Sequence, residues 1–395
     1  MSVVYAPVAL GELLTRSSRP AEIDPLARYQ EVTVRMWGKG VLRRGFVMGA
    51  EVSDGRRFLA TAGQFILSRI DARHGANGLI PLDLDGAIVT TDFPLFDFDL
   101  SRIEPKYLEW LGRTRGFVGL CLRASEGTTN RVRLSEERFL SLTIPLPDVD
   151  EQRRVVAIVD RLNAKLVEAT SLREQALLEL EALQKSRSRE IFRGRSCDIV
   201  PLEDVCFAII DNLHSTPTYR EGGSIPCIRS PDVGFGFLDL QNARRTDEAE
   251  YRHRTVRGEP QRDDIVLVRE GGGTGKCAIV LPDQRFSLGQ RVMMLRPNTD
   301  RVLPRYVLHQ LLSPVIQEDH IQPLSKGSAS PHLNIGALRK FPFALPALDV
   351  QRGVVEELDD LRVKVAKIAE LQSATAGELN AMLPAILDQA FQGQL

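Results

Sequence analysis

The chain has 395 residues, of which 43% are hydrophobic and 26% are charged, the composition of an ordinary globular protein with room for two or three domains. No apolar run approaches the roughly 20 residues that a membrane helix needs, and the N-terminus lacks the pattern of a secretory signal. We therefore expect a cytoplasmic protein with no membrane partner. Because the net charge is −1, a DNA-binding surface would have to be a local basic patch.

Taken in chain order, the sequence first predicts a mixed α/β globular part. A β-branched run at 31–37 (EVTVRMW) indicates a strand, and 105–112 (PKYLEWLG) indicates a helix. The second half has the same character, with strands expected at 265–270 (IVLVRE) and 291–297 (RVMMLRP) and a helix at 304–312 (PRYVLHQLL). Gly and Pro turns separate these segments. The pattern favours two mixed α+β domains.

Each globular part is followed by a segment that predicts a long helix with an apolar stripe. The stripe positions are Val155, Val159, Leu162, Leu166, Ala169, Ala176, Leu180 and Leu183 in the first segment, and Val354, Leu358, Leu361, Val365, Ile368, Leu379, Met382 and Ile386 in the second. One apolar position is missing at the same place in both, at Arg173 and Gln372. Such stripes are typical of a coiled-coil seam. Gly377 and Pro384 are expected to weaken the second helix near its end.

An internal repeat relates the two halves. The segment LPDVDEQRRVVAIVDRLNAKL from Leu146 aligns with LPALDVQRGVVEELDDLRVKV from Leu345, an offset of 345 − 146 = 199 residues. The same register continues without a gap to Phe192 and Phe391. The repeat predicts four segments, namely a globular domain at 1–145, a helical segment at 146–198, a second globular domain at 199–344 and a second helical segment at 345–395.

The stretch VREGGGTGKCAIV, from Val268 to Val280, looks at first like a phosphate-binding loop. Such a loop needs a glycine where this chain has Glu270, and a Ser or Thr where it has Cys277. A carboxylate would point at the phosphates, and a thiol is a poor magnesium ligand. We therefore favour a glycine turn between two strands, with a nucleotide-binding enzyme that uses 271–276 as the alternative.

The sequence lacks the common catalytic motifs H-E-x-x-H and G-x-S-x-G and the dinucleotide-binding glycine fingerprint. Five cysteines form no C-x-x-C pair, which argues against a zinc knuckle or a disulfide framework. Glu104 and Lys106 faintly suggest a nuclease metal site, but the repeat has Leu303 and Arg305 at these positions. We expect a non-catalytic chain that binds no metal and no cofactor.

The two helical segments carry a specific resemblance. IPLPDVDEQRRVVAIVDRLNAKL, HLNIGALRKFPFALPALDVQ and the terminal AFQGQL together resemble the specificity subunit of Type I restriction-modification systems. The resemblance covers the whole chain in the order domain, helix, domain, helix. It implies two target-recognition domains related by pseudo-twofold symmetry, two long helices packed as an antiparallel coiled coil, and no catalytic activity in this chain.

The resemblance also implies the partners. Each domain would read one half of an asymmetric bipartite target in double-stranded DNA. The helices can hold the two readers apart, since about 35 helical residues span on the order of 50 Å, more than one DNA turn. Two methyltransferase subunits that use S-adenosylmethionine would direct adenine methylation, and restriction subunits that use ATP and Mg²⁺ could join. A coiled-coil scaffold without a DNA role is a second alternative.

Candidate DNA contacts follow from charge, because Lys and Arg neutralise phosphates and Arg and Asn read base edges. The segment 31–75 has eight Lys and Arg against four Asp and Glu. The loops that correspond between the repeats supply the other candidates. The predicted DNA-binding residues are Arg35, Lys39, Arg43, Arg44, Arg69, Arg73, His74, Asn130, Arg131, Arg229, Arg269, Lys276, Lys326, Ser328 and His332.

Overall fold

A computed structural model describes residues 5–126, 132–194, 197–325 and 332–394. The chain divides into two compact units, which are Met1–Arg173 with Ser373–Leu395, and Glu174–Gln372. Each unit therefore holds one globular part, the first half of the long helix that follows it, and a portion of the other long helix. No helix among the described residues is both long enough and apolar enough to cross a membrane.

The first unit is built from short strands and helices. Its strands are β1 (Pro7–Ala9), β2 (Leu14–Ser17), β3 (Arg28–Val34), β4 (Val41–Met48), β5 (Arg57–Leu59), β6 (Phe65–Leu67), β7 (Asn77–Leu79), β8 (Ile88–Thr90), β9 (Leu95–Phe98), β10 (Ser125–Glu126), β11 (Arg133–Leu134) and β12 (Thr143–Pro145). Its helices are α1 (Pro105–Leu111), α2 (Arg115–Arg123) and α3 (Glu136–Ser141), followed by the long helix α4 (Val149–Arg193). Short 3-10 helices lie at Leu10–Glu12, Gly49–Glu51, Ala72–His74 and Leu82–Leu84.

The second unit has the same kinds of element. Its strands are β13 (Asp198–Pro201), β14 (Cys206–Asp211), β15 (Ile225–Ile228), β16 (Arg245–Thr246), β17 (Ile265–Val268), β18 (Cys277–Ile279), β19 (Ser287–Leu288), β20 (Val292–Pro297) and β21 (Pro342–Leu345). Its helices are α5 (Glu248–Arg254), α6 (Pro304–Leu312), α7 (Pro314–Ile316), α8 (Gln322–Ser325), α9 (Ile335–Arg339) and the long α10 (Leu348–Phe391). Short 3-10 helices lie at Leu202–Val205 and Ser230–Asp232, and a π-helix at Gln317–Ile321. The mixed α/β class is confirmed, as are the expected helices and the strands expected at 265–270 and 291–297. The strand expected at 31–37 is β3, but it ends at Val34, and 35–37 lie in the turn that follows.

The two units share the order of one four-stranded sheet. It is β2-β9-β6-β7 in the first unit and β14-β20-β17-β18 in the second, and the strands next to each other in these lists pair antiparallel. A two-stranded pair, β1-β12 or β13-β21, lies beside the start of each long helix. The remaining sheets differ, with β4-β3-β8-β5 and the β10-β11 pair in the first unit and β16-β15-β19 in the second. The common sheet is therefore the frame, and the differing sheet is where the domains diverge.

One buried glutamine in each unit joins the long helix to the domain. The Gln152 side chain accepts a hydrogen bond from the Glu104 amide (2.8 Å) and donates to the carbonyls of Arg102 and Pro147 (both 2.9 Å). Its counterpart Gln351 makes the same three contacts, accepting from the Leu303 amide (2.8 Å) and donating to the carbonyls of Arg301 (3.1 Å) and Pro346 (2.8 Å). Both glutamines are fully buried. In each unit, one backbone amide and two backbone carbonyls near the start of the long helix thus have a hydrogen-bond partner.

An aromatic pair repeats in the same way. In the first unit the Tyr107 ring meets Phe391, near the end of α10, edge-on at a centroid distance of 5.0 Å. In the second unit Tyr306 meets Phe192, near the end of α4, at 5.5 Å. Edge-to-face contacts of this kind add to the stabilisation from apolar burial. Each unit therefore encloses the last turns of one long helix in its own core.

The stripe on the long helices follows the expected spacing with three local corrections. Most of the expected positions are buried or half-buried, but Leu183, Ile368 and Met382 are exposed. Their neighbours Gln184, Ala369 and Leu383 are half-buried instead. The physical reason is that steps of three and four drift against the 3.6-residue turn over a long helix.

Pro384 does not end α10, which is continuous from Leu348 to Phe391. A proline inside a helix removes one backbone hydrogen bond and frees the carbonyl four residues earlier. Pro384 lies on the exposed side of the helix, where water can hydrate the freed carbonyl. The proline is therefore accommodated without a break.

Candidate nucleic-acid interface

The glycine stretch is a turn between two buried strands, as expected. β17 and β18 pair antiparallel, with Leu267 opposite Cys277. Gly271 and Gly275 have φ angles of 89° and 93°, a left-handed region that favours glycine. The Gly275 amide donates to the Val268 carbonyl at 2.9 Å, which closes the turn. The tip at 271–273 carries no side chains, and Gly272 is exposed.

This turn lines a basic cleft of about 520 Å³ in the second unit. Four cations surround it, namely Arg229, Arg244, Lys276 and Arg291, against one carboxylate, Glu270. Arg229 is paired with Asp232 at 3.1 Å, whereas no described carboxylate lies within ion-pair distance of Arg244, Lys276 or Arg291. The cleft therefore carries excess positive charge beside exposed backbone, which suits a phosphate.

Aromatic rings accompany these cations. The Arg244 guanidinium lies 4.9 Å from the Tyr219 ring centroid, and the Lys276 amine lies 5.9 Å from the Phe235 ring. Tyr219 lines the cleft and Phe235 is 54% exposed. Cations held over rings remain available to an anion on the open side. The site thus offers both charge and flat apolar surface.

Arg269, one of the predicted DNA contacts, is buried in the second unit. Its side chain is 6% exposed and forms ion pairs with Asp211 at 2.7 Å and Glu270 at 2.9 Å. Two carboxylates therefore neutralise its charge inside the unit. Glu270 in turn lies 3.1 Å from the imidazole of His332, another predicted contact, which is exposed. Arg269 holds the base of the turn, and Lys276 and His332 remain accessible.

The burial of the Cys277 thiol argues against the alternative that this stretch binds a nucleotide. Cys277 is fully buried, and this burial raises the pKa of its thiol far above the ordinary value. It stands where a phosphate-binding loop has the hydroxyl that holds Mg²⁺. A buried protonated thiol offers magnesium no oxygen ligand. The turn thus offers no magnesium ligand at this position.

The first unit places its corresponding turn between β6 and β7. A 3-10 helix at Ala72–His74 ends at Gly75, whose φ is 73°. Arg69 is half-buried, and its guanidinium donates to the Leu134 carbonyl at 3.1 Å. Arg73 is half-buried and donates to the His74 ring at 3.2 Å. Arg69 therefore has a structural partner, and Arg73 and His74 are likewise half-buried in the turn.

The β3–β4 turn is fastened to this 3-10 helix. The Trp37 amide donates to the His74 carbonyl at 2.7 Å, and the Gly38 amide donates to the Gly75 carbonyl at 3.1 Å. Trp37 has a φ of 64°, one of three positive values at non-glycine residues among the described part of the chain. A bulky residue in this region stores strain, which is often found at functional sites.

The other predicted residues of the first unit lie near this turn or on β4. Arg35, Lys39 and Arg44 are exposed, and no described carboxylate lies within ion-pair distance of them. Arg43 is exposed but paired with Asp83 at 3.1 Å. Asn130, Arg131, Lys326 and Ser328 lie outside the described residues.

Sequence reasoning missed several members of this surface. Tyr219, Arg244 and Arg291 line the second unit's cleft although they are far apart in the sequence, and only the fold brings them together. Trp37 was missed because the sequence placed it in the strand expected at 31–37, whereas the structure places it in the turn after β3.

The weak nuclease candidate has a structural explanation. Lys106 forms an ion pair with Asp160 on α4 at 3.1 Å, and the Trp110 indole donates to the same carboxylate at 2.8 Å. In the second unit Arg305 and His309 contact Asp359 in the same manner, at 3.1 and 2.9 Å. Among the described residues, no group of three or more His, Cys, Asp or Glu is placed to hold a metal ion.

Comparison with known proteins gives a family match for the second half of the chain. A family model described as the Type I restriction modification DNA specificity domain matches residues 198–373. The chain is 23% identical over 303 residues to the Type I restriction enzyme EcoBI specificity subunit of Escherichia coli, covering 69% of this chain and 63% of that protein. It is 21% identical over 285 residues to the MjaVIII specificity subunit of Methanocaldococcus jannaschii, covering 66% of each. The chain thus spans just under two thirds of the length of these relatives.

Solved structures show the same fold. The HsdS subunit from Thermoanaerobacter tengcongensis matches with a TM-score of 0.63 and 23% identity, over 99% of this chain and 97% of that one. A chain from a study of complex assembly and conformational transition of the type I R-M system matches with a TM-score of 0.74 and 23% identity, over 99% and 98%.

Proposed function

We propose, from the confirmed resemblance of this chain to specificity subunits of Type I restriction-modification systems, that the protein is the sequence-specific DNA-binding subunit of such a system. It recognises an asymmetric bipartite target in double-stranded DNA and directs adenine methylation, or restriction, by partner subunits. The chain itself carries no catalysis. S-adenosylmethionine, ATP and Mg²⁺ are used by the methyltransferase and restriction subunits.

The observation that carries this proposal is the basic cleft beside the glycine turn, which lies inside the segment matched by the DNA specificity domain. Arg244, Lys276 and Arg291 supply positive charge, and the side-chain-free glycines at 271–273 let a ligand approach the backbone. Cations and backbone amides are the groups that contact phosphates and fix a protein on a duplex. The exposed cations Arg35 and Lys39 would do the same in the first unit.

The paired contacts support an internal duplication. Gln152 and Gln351 make equivalent hydrogen bonds, and the common sheet has the same strand order in both units. We propose that the two halves are related by pseudo-twofold symmetry, that α4 and α10 pack as an antiparallel coiled coil, and that the division into 1–145, 146–198, 199–344 and 345–395 separates the recognition domains from the helical segments. Two methyltransferase subunits would bind this chain.

Co-expression with the methyltransferase subunit of the same system, followed by sequencing of methylated DNA, tests the proposal. The expected result is adenine methylation at one split, asymmetric motif. A continuous motif, or no methylation that depends on this chain, would contradict it. Calorimetry with ATP tests the nucleotide-binding alternative, and no heat of binding is expected for the purified chain.

A further inference from the structure

Trp37 combines two energetically unfavourable features at one residue. Its side chain stands at the tip of the β3–β4 turn with the residue 71% exposed, and its backbone lies at a φ of 64°. Large aromatic side chains usually contribute to cores and interfaces, and positive φ strains a bulky residue. The hydrogen bonds to His74 and Gly75 nevertheless hold the turn in this form. The fold therefore holds an exposed indole, whose ring centroid lies 5.8 Å from that of His74, at a local cost.

The charged residues around the Trp37 ring indicate which kind of ligand it would bind. Arg35 and Lys39 flank it in the same turn and are exposed, and Arg73 lies in the adjoining 3-10 helix. No described carboxylate lies within ion-pair distance of these three cations. A ligand that suits a flat apolar ring between cations has a π face and negative charge at its edge. A nucleotide in DNA has both.

The second unit presents a related arrangement. Phe235 precedes Gly236, which has a φ of 91°, and the Gly236 amide donates to the Cys277 carbonyl at 2.8 Å. Phe235 is 54% exposed, with the Lys276 amine near its ring. In both units an exposed aromatic residue thus precedes a positive-φ glycine. The amide of that glycine donates to Gly75, in the turn before β7, in the first unit and to Cys277, the first residue of β18, in the second. This recurrence argues for a common use of the aromatic position.

Resting on the proposed DNA-binding function, we propose that Trp37 inserts its ring against the face of a base pair at one step of the half-site read by the first domain. Arg35 and Lys39 contact the flanking phosphates. Apolar side chains inserted at a base step unstack it in part and bend the duplex. The energy of deforming a step depends on its sequence, so the ring would add to specificity without a hydrogen bond to a base.

The test uses the chain co-purified with its methyltransferase subunit and a labelled duplex that carries the motif found by methylation sequencing. Trp37→Gly removes the ring and suits the positive φ, so the turn keeps its form. Trp37→Phe retains an aromatic ring. Leu82→Ala, at another highly exposed apolar residue of the same unit, is the matched control. Affinity is measured by fluorescence anisotropy over a range of salt concentrations.

We expect Trp37→Gly to weaken binding to the target by roughly 5- to 100-fold, the range for loss of one aromatic–base contact. Trp37→Phe should retain most of the affinity, and Leu82→Ala should match the unmodified chain. The salt dependence should stay unchanged in Trp37→Gly, because no phosphate contact is lost, whereas Lys39→Ala should lower the slope of log K against log salt by about 1.

A second readout locates the ring on the DNA. 2-Aminopurine placed at successive steps of the half-site should change in fluorescence at one step on binding, because the inserted ring replaces base–base stacking there, and Trp37→Gly should abolish this change. Equal affinity and equal 2-aminopurine signals for Trp37→Gly and the unmodified complex would overturn the inference while leaving the proposed function intact. Loss of methyltransferase assembly, with normal DNA affinity in the assembled fraction, would assign Trp37 to a protein contact and also overturn it. If the unmodified complex prefers no duplex, the proposed function itself fails.

Discussion

The two units share a frame and differ in the turns that the frame carries. Both contain the same strand order, the same glutamine contacts and the same Tyr–Phe pair. The turn between β6 and β7 forms a short helix beside Trp37, whereas the turn between β17 and β18 is rich in glycine and lines a basic cleft. Buried contacts constrain a sequence strongly and exposed turns constrain it weakly. One frame can therefore carry two different reading surfaces.

Removing the aromatic ring at the end of each long helix tests whether the cores of the two units depend equally on the helix end that they enclose. Phe192 is 6% exposed, whereas Phe391 is half-buried. We expect Phe192→Ala to lower the free energy of unfolding by about 3–5 kcal/mol, the usual cost for a buried Phe. Phe391→Ala should cost less because part of its ring already meets water. Urea unfolding of the full chain, followed by circular dichroism, measures both.

Leu178→Ala, on an exposed position of α4, is the control and should change the free energy of unfolding by less than about 0.5 kcal/mol. A larger cost for Phe391→Ala than for Phe192→Ala would reverse the comparison. It would mean that the core around the end of α10 depends more on its helix than the core around the end of α4.

The paired glutamines test the equivalence of the two units more strictly. Gln152→Leu and Gln351→Leu each leave one amide and two carbonyls of the backbone without their partner. We expect each change to lower the free energy of unfolding by about 2–4 kcal/mol. The two costs should be similar, and they should add in the double variant because the glutamines share no partner.

Thermal and urea unfolding measure these costs, with Gln389→Leu on the exposed face of α10 as the control. Costs that differ by more than about 2 kcal/mol between the two positions would show that the matched hydrogen bonds do not carry matched energies.

At the turns, charge variants separate DNA contact from structural support. Lys276→Ala and Arg291→Ala should each weaken DNA binding, by an effect on the order of 1 kcal/mol, and lower the slope of log K against log salt by about 1. Their stability should stay unchanged, because neither forms an ion pair with a described residue. Anisotropy titrations at several salt concentrations measure the slope.

Arg269→Ala is the matched contrast in the same turn. It leaves Asp211 and Glu270 without their common partner, so it should lower the free energy of unfolding. An unchanged stability together with a lower salt slope would instead support Arg269 as a DNA contact, as predicted from the sequence.

The sequence was informative where local pattern decides structure. The β-branched run at 265–270 and the apolar spacing of 304–312 lead to β17 and α6, since strand and helix periodicity are local properties. The repeat aligned Gln152 with Gln351 but did not reveal their role, because their partners are backbone groups brought near by tertiary folding. Periodicity over a long helix also drifts, which explains the exposed Leu183.

The candidate site was harder to predict from the sequence, because tertiary folding alone brings its residues together. Arg269 was predicted as a DNA contact because it lies in a loop that corresponds between the repeats. Its ion pair with Asp211, 58 residues away in the chain, is seen only in the fold. Arg244 and Arg291 were missed because the cleft assembles them from distant segments. A basic residue in a loop is an equally good candidate for a phosphate contact and for an internal ion pair until the fold supplies its neighbours.

The smallest expected effect concerns a pair of equivalent positions that carry different side chains, Trp110 in the first unit and His309 in the second. Burial lowers the pKa of His309, although the carboxylate of Asp359 acts in the opposite direction. The folded state therefore resists a proton that the unfolded chain accepts below its ordinary pKa of 6.5. Stability from this group is present above that pH and is lost as the pH falls toward the folded-state pKa. His309→Gln should reduce the loss of stability between pH 7.5 and 5.5, as measured by urea unfolding at both values, whereas His253→Gln on exposed α5 should retain it. Equal pH dependence in His309→Gln and the unmodified chain would show that the histidine titrates alike in both states, and the two frames would then differ at this position in shape alone.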